Sequence, residues 1–441
     1  MDFKSKYGDV STPQYFVEQI LDLLPEDVWY NTDFTWLDIG CGNGIFIECI
    51  YNRLMNCLSQ VIENEEDRKK HIINNMLFMI EINSYYIDNL KKKFTNESNI
   101  INQDFITYNF KNKFDIIIGN PPYNNNGLIK VPTKVDDKKK DGKAIWKSFI
   151  RKSFNILNEN GYIAMCIPAL WMKPDKDMIY HLFFQYNILK LITYDNSESN
   201  KIFSYNAQTP VSCLCVQNML HKDIRQNILI YDKYIKKSFV NYNLTFLCPI
   251  PLVYIHIFNI LQPFVNKYGS LSSLIIKTSM PSKKAILSSE KNDIMKYINI
   301  HSCLLKNKTE PELLIQYSNI PLQYANIKKI VLAHKMYGFP FNDKEGIYGI
   351  SNRDNYVIIN EHANKLLFDF LSTSFCRTLF KATRYRMKYL EKYIFELLPN
   401  ITKIPNFPRE INNNSLHNFF HFDFDIELIN DKYNRFDYEK N

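Results

Sequence analysis

An amide, two prolines and an aromatic stand in a row at Asn120-Pro121-Pro122-Tyr123, directly after the apolar run Phe114-Asp115-Ile116-Ile117-Ile118-Gly119. Proline has no backbone N–H to donate, so this stretch offers carbonyl acceptors, and the Asn120 side chain adds one that can take a hydrogen bond from an –NH2 group. Tyr123 can cover the face of a ring that carries such a nitrogen. The plain alternative is a strand that runs into a Pro-Pro turn. What argues against it is the rest of the first half of the chain.

Upstream, Trp36-Leu37-Asp38-Ile39-Gly40-Cys41-Gly42-Asn43-Gly44-Ile45-Phe46 reads as a short strand, a turn with glycine at every second position, and a helix. Gly40, Gly42 and Gly44 let backbone approach a ligand closely. Their spacing is not the Gly-x-Gly-x-x-Gly of dinucleotide folds, and no Gly-Lys-Ser/Thr follows to cradle a triphosphate. Asp38 disfavours a pyrophosphate and suits a cationic or amino-acid-bearing ligand, so S-adenosylmethionine fits better than NAD or ATP. Glu81 ends the next strand-like run, Met76 to Ile80, where a carboxylate can accept from both hydroxyls of a ribose. Asp104 offers an acceptor for an adenine amino group, and Phe105 offers a ring to pack on it. Either acid alone reads as a solvated strand end. Acidic ends on successive strands, followed by the Asn-Pro-Pro-Tyr end, point to one shared crevice.

These elements require an α/β sheet. Ala144 to Leu157 has helical spacing, Asn160-Gly161 turns, and Tyr162 to Pro168 reads as a buried strand. Two further strand-like runs, Leu189 to Asp195 and Val211 to Gln217, bracket a loop that contains Phe203.

With these motifs the chain resembles the S-adenosylmethionine-dependent N6-adenine DNA methyltransferases, those of restriction-modification systems and their viral relatives. Gly8 to Pro13, with Thr12 ahead of a helix, resembles the family's N-terminal motif. The resemblance implies a Rossmann-like class I methyltransferase domain with a mixed, mostly parallel sheet, and a C-terminal α+β target-recognition domain. It implies Thr12 near the methionine end of the cofactor, Tyr123 and Phe203 stacked on a flipped adenine, DNA as partner, and possible pairing with a separate restriction endonuclease. The same tetrapeptide occurs in methyltransferases of RNA, of guanine amino groups and of protein glutamine, and a silent nucleic-acid-binding paralogue is a further alternative.

At 441 residues the chain is long enough for two domains, expected at 1–243 and 244–441. The net charge of +8 suits a polyanionic partner. Nine cysteines without zinc-type spacing read as reduced thiols of an intracellular protein, and no metal site is expected. The longest apolar region, Leu244 to Val265, is broken by three prolines and reads as a core or connecting helix, not a membrane span. The polar insertion 62–75 reads as a surface helix, and the Asn- and Lys-rich stretch 124–143 as a mobile loop with lysines free to meet a nucleic-acid backbone. In the second half, 364–393 reads as one amphipathic helix whose Lys381, Arg384 and Arg386 are candidate phosphate contacts.

Overall fold

A computed structural model describes residues 10–429, apart from 95–98, 126–142, 177, 206–208, 306–310, 335–339, 361, 363, 387–388 and 427–428. The chain divides into two compact units, 1–231 with 241–246, and 232–240 with 247–441. The boundary expected at 243/244 lies within the strand Ser238–Thr245.

The main sheet is built of β1 (Trp36–Ile39), β2 (Leu77–Ile80), β3 (Asn99–Ile101), β4 (Phe114–Gly119), β5 (Leu157–Pro168), β6 (Tyr186–Tyr194), β7 (Val211–Leu220), β8 (Arg225–Asp232) and β9 (Ser238–Thr245), all of them in the first unit except for residues 232 and 238–240. They form one nine-stranded sheet in the order β9-β8-β6-β7-β5-β4-β1-β2-β3. Strands β3, β2, β1, β4 and β5 run parallel to one another, and β7 runs antiparallel to β5 and β6. The chain leaves β1 towards β2 and β3 on one side and returns to β4 on the other. In such sheets the reversal opens a crevice at the strands' carboxyl ends.

The period-2 pattern of the strands sets the two faces of the sheet. Trp36, Ile116, Ile118, Ala164, Cys166, Cys213 and Cys215 share one core with helices α1 (Gln14–Leu21), α2 (Ile45–Cys57) and α4 (Ser84–Phe94). The intervening Leu37, Ile39, Ile117, Ile163 and Met165 are also fully buried, as expected where both faces of a parallel sheet are covered. Helix α1 starts at Pro13, whose carbonyl accepts from the N–H groups of Phe16 and Val17, and it buries Phe16, Val17, Ile20 and Leu21. The insertion is helical as expected: α3 (Glu65–His71) is capped by Asn64, whose side chain accepts from Asp67 N–H, and it runs on into a wider turn at Ile72–Met76. Helix α5 (Trp146–Asn155) precedes β5, and α6 (Ile179–Phe184) and α7 (Asn196–Ile202) flank β6.

The second unit contains α8 (Ile255–Tyr268) and two four-stranded sheets. One sheet orders Ile276–Lys277, Asn355–Ile358, Lys329–Ala333 and Pro340–Asp343, and the other Leu287–Ser288, Pro311–Ser318, Tyr297–Leu305 and Gly349–Ile350. Ile300 and Ile350 of one sheet join Val331, Ala333 and Val357 of the other in a single core. Lys329 and Asp343 pair across the first sheet at 2.5 Å, both buried. Such a pair survives burial only when its remaining hydrogen bonds are made. Here the ammonium also donates to the carbonyls of Ile327 and Tyr348, and the carboxylate accepts from the N–H groups of Ile347 and Tyr348.

The single helix expected over 364–393 is instead a series of short pieces: Asn364–Ser372, Ser374–Leu379 and a 3-10 turn at Phe380–Thr383. The break has a local cause. Thr373 is extended and its hydroxyl caps the second piece by accepting from Cys376 N–H, a competition with the helix ladder that Ser and Thr regularly win at N-termini. All nine cysteines are free thiols. Among the described residues no helix is long and apolar enough to cross a membrane, and no group of three or more His, Cys, Asp or Glu side chains could hold a metal ion.

Candidate active site

The glycine turn after β1 is fixed by the end of β2. Gly40 and Cys41 donate their N–H groups to the carbonyl of Ile80, and Gly42 N–H donates to Glu81 Oε2 at 2.8 Å. Gly40, Gly42 and Gly44 have φ of 81°, 51° and 80°, a left-handed region that costs any other residue. The three differ in their surroundings. A Cβ on Gly40 or Gly42 would meet nothing within 4 Å, whereas one on Gly44 would lie 2.6 Å from Leu90 Cδ2 and 3.2 Å from Phe94. Gly44 therefore serves the packing of α4, and the first two leave a bare backbone surface.

Asp38 lies beneath that surface. It is 1% exposed, and neither carboxylate oxygen has a hydrogen-bond partner. Burial, with the Glu81 charge as a second contribution, pushes its carboxyl well above the usual carboxylate range. An orphaned buried carboxylate is costly, and a cationic donor would relieve it. The β4 end lies against the same carboxylate, since a Cβ on Gly119 would come within 3.2 Å of Asp38 Oδ1.

Asn120 follows at once. Its Nδ2 donates to Thr12 Oγ1 at 3.1 Å, and its Oδ1 is buried with no partner. Thr12, 9% exposed just ahead of α1, thus orients the amide and leaves the oxygen as the free acceptor. No side chain caps α1, so the Thr12 hydroxyl serves Asn120 and not the helix terminus. Pro121 is buried and Pro122 half-buried. The Tyr123 ring packs against the core, with its hydroxyl 3.4 Å from Cys166 Sγ on β5; burial first, then Cys166, pushes the phenol up. The structure thus brings together Thr12, Asp38, Gly40, Gly42 and Asn120, with Tyr123 behind them.

The acids on the neighbouring strands are already engaged. Glu81 takes hydrogen bonds from Gly42 N–H and, through Oε1, from Asn83 N–H, although each oxygen can accept more than one. Asp104 closes a local turn by accepting from Ile106 N–H at 2.9 Å.

Two aromatic expectations need correction. Phe105 is 3% exposed and stacks on Phe149, ring centroids 5.1 Å apart, with Lys152 Nζ 5.4 Å from its own centroid, so its ring is enclosed by protein groups instead of lying open to a cofactor. Phe203 is 2% exposed, in edge contact with Phe16 at 5.5 Å within the main core. It closes the core beneath its loop and cannot stack on a base from there. The basic cluster is corrected as well. Lys381 and Arg384 are half-buried, Arg386 is exposed, and the intervening Ala382, Thr383 and Tyr385 are buried, so the three cations do not share one open helix face. Of the Lys-rich stretch, Asn124–Asn125 pairs with Lys143–Ala144, and the lysines from Lys130 to Lys140 lie outside the described residues.

Asn83 was missed in the sequence. It is 5% exposed, its Oδ1 accepts from Tyr85 N–H, and its Nδ2 is buried without a partner beside Glu81. An Asn at the start of a helix is a recognisable cap, which is the signal that was available. The residues present fit S-adenosylmethionine on structural grounds: an orphaned carboxylate for its cationic end, a glycine surface with open space above it, and an unpaired amide donor beside Glu81.

The sheet order with its antiparallel β7, the glycine turn after β1 and the Asn-Pro-Pro-Tyr end of β4 define a Rossmann-like α/β fold, the arrangement the sequence led us to expect. Comparison with known proteins narrows this: residues 43–203 match the family model described as Eco57I restriction-modification methylase. An uncharacterized adenine-specific methylase of Mycoplasma pneumoniae is 29% identical, over 40% of this chain and 58% of that protein. The type II methyltransferase M.AccI of Acinetobacter calcoaceticus is 32% identical, over 22% of this chain and 19% of that one. The type II restriction enzyme and methyltransferase RM.Eco57I of Escherichia coli is 29% identical, over 27% of this chain and 12% of its own length. The matched stretches thus span little more than half of the first relative and far less of the other two. Among solved structures, a modification subunit of a putative type I restriction enzyme from Vibrio vulnificus aligns with a TM-score of 0.39 at 15% identity, over 62% of this chain and 57% of that one.

Proposed function

We propose that the chain methylates the N6 amino group of adenine in DNA, with S-adenosylmethionine as methyl donor. The observation that carries this reading is the Asn120 side chain, held by Thr12 so that a buried, unpartnered oxygen ends the strand beside Asp38. When bound, the cofactor supplies an electrophilic methyl group on a sulfonium.

The chain's own residues do the rest. The adenine amine is a weak nucleophile because its lone pair is delocalised into the ring. Hydrogen bonds donated by the amine to Asn120 Oδ1 and to a carbonyl near Pro121 favour a pyramidal nitrogen, and they stabilise the positive charge that grows on it. Holding the amine in line supplies several kcal/mol more. Asp38 pairs with a cationic group, the Gly40–Gly42 backbone admits the ligand, and Glu81 offers its remaining lone pairs to hydroxyls. No general base is needed, because the methylated ammonium is acidic once formed.

An adenine inside a duplex cannot reach this crevice, so the reading includes extrusion of the base, with Tyr123 as one wall of its pocket. The names of the relatives support adenine as target and restriction-modification as setting. A separate endonuclease partner and an intracellular location belong to the same proposal. The test is transfer of labelled methyl to duplex DNA, RNA and a glutamine peptide offered in parallel, followed by direct reading of modified bases. Label on DNA adenine is expected, and label confined to RNA or peptide would overturn the reading.

A further inference from the structure

In the second unit, residues 276–296 form an extended ribbon with little regular structure of its own. Its two short strands, Ile276–Lys277 and Leu287–Ser288, pair at the edges of the unit's two sheets, opposite Tyr356 and Val357 and opposite Tyr317 and Ser318. Side chains pin it between those points. Thr278 Oγ1 donates to the carbonyl of Asn352, Gln323 Nε2 donates to the carbonyl of Ser279, and Asn319 Oδ1 accepts from Ile286 N–H. Asn292 fixes the last bend by accepting from the N–H groups of Ile294 and Met295. The backbone is therefore tied down, and most of the side chains between the pinning points are exposed.

Those side chains are an unusual pair of types for a solvated edge. Met280, Ile286 and Ile294 are 58%, 57% and 67% exposed. One such residue needs no explanation. Three on one pinned ribbon, interleaved along the sequence with cations, are more apolar side chains than a solvated edge ordinarily carries. Lys277, Lys283, Lys284 and Lys291 are exposed, and none has an ion-pair partner among the described residues. Over 276–296 there are five lysines against two acids, Glu290 and Asp293, a net +3. Arg353, also exposed, adjoins the Asn352 that is bonded to Thr278.

We propose that this ribbon is a docking surface for duplex DNA, its cations meeting phosphates and its apolar tips meeting sugars and base edges in a groove. The occupant follows from charge: a regular polyanion can neutralise unpaired cations spread along an extended segment, and phosphate pairing of this kind sets orientation while groove packing carries discrimination. The inference rests on the DNA reading above and replaces the basic cluster around Arg384 as the expected DNA-facing surface.

The experiment uses the full chain carrying K277Q, K283Q, K284Q and K291Q together, with binding to a fluorescent duplex followed by anisotropy across a salt series. The expected result is at least a tenfold weaker affinity and a shallower salt slope, by about 0.9 for each phosphate no longer neutralised, with S-adenosylmethionine binding and melting temperature unchanged. K69Q with K70Q on α3 is the control, expected to leave the slope alone. A second variant, M280S with I294S, removes no charge and is expected to weaken duplex binding at constant slope. An unchanged affinity and slope in the fourfold variant would overturn the proposal, as would a wild-type preference for RNA that the same lysines support. If the wild type methylates duplex DNA and the fourfold variant does so with the same KM, the ribbon assignment falls alone. If the wild type transfers no methyl to DNA, the functional reading falls with it.

Discussion

Replacing Gly42 and Gly44 separately by alanine distinguishes a glycine kept for a ligand from one kept for the fold. Both have positive φ, 51° and 80°, so each alanine costs about 1–2 kcal/mol of backbone strain. At Gly44 the new methyl also meets the fully buried Leu90 at 2.6 Å and Phe94 at 3.2 Å, and overpacking of this kind adds about 1–3 kcal/mol. In a unit of this size 1 kcal/mol moves the melting temperature by roughly 2–4 °C. G42A is thus expected to melt roughly 2–8 °C low and G44A roughly 4–20 °C low. Cofactor affinity should rank the other way. A methyl on Gly42 enters the open space above the turn, so S-adenosylmethionine binding measured by calorimetry is expected to weaken at least tenfold, about 1.4 kcal/mol. The folded fraction of G44A should lose less. Wild-type cofactor affinity in G42A would refute the argument, because the space over the turn would then not be where the ligand lies.

Three further outcomes follow from the same geometry. T12V removes the hydroxyl that holds Asn120, a hydrogen bond of about 1 kcal/mol, so kcat is expected to fall about fivefold with cofactor affinity unchanged; a matching loss of affinity would place Thr12 elsewhere. Burial raises the Asp38 carboxyl, so the folded protein binds its proton more tightly than the unfolded chain does. Asp38 therefore favours folding fully below its unfolded pKa of about 3.9, and that contribution is lost as pH rises through the raised folded value. A cationic ligand needs the ionised form, so cofactor binding should strengthen with pH up to that folded value and level off above it. D38N should bind weakly with no such slope, and a pH-dependent D38N would assign the slope to another group. Y123A should lower the transfer rate more than cofactor affinity, and equal loss of both would contradict a role at the target amine.

The parts of the fold that were legible in the sequence are those where one interaction dominates. The apolar runs of β1, β2 and β4 must be buried on both faces, and a glycine at every second position has few uses besides a turn with positive φ. Asn120 was singled out because prolines offer no N–H to compete for an acceptor, and the structure leaves its Oδ1 buried without a partner. Phe105 and Phe203 were not, because an aromatic just beyond an element has the same sequence signature whether it turns out to a ligand or into the core. Only the positions of Phe149 and Phe16, far away in sequence, decide between the two. The helix expected over 364–393 failed at Thr373, where side-chain capping outweighed the apolar spacing. The ribbon at 276–296 has no periodicity at all, and only its hydrogen bonds with Gln323, Asn319 and Asn352 show that its backbone is held in place.

The central claim is that Asn120 supplies the acceptor that activates an adenine amine. The most direct measurement is single-turnover methyl transfer to duplex DNA by the wild type and by N120A, each saturated with S-adenosylmethionine whose binding is measured on the same sample. The account expects N6-methyladenine from the wild type, a loss of at least a hundredfold in rate for N120A, and cofactor affinity within about twofold. An N120A protein that methylates adenine at the wild-type rate would contradict it.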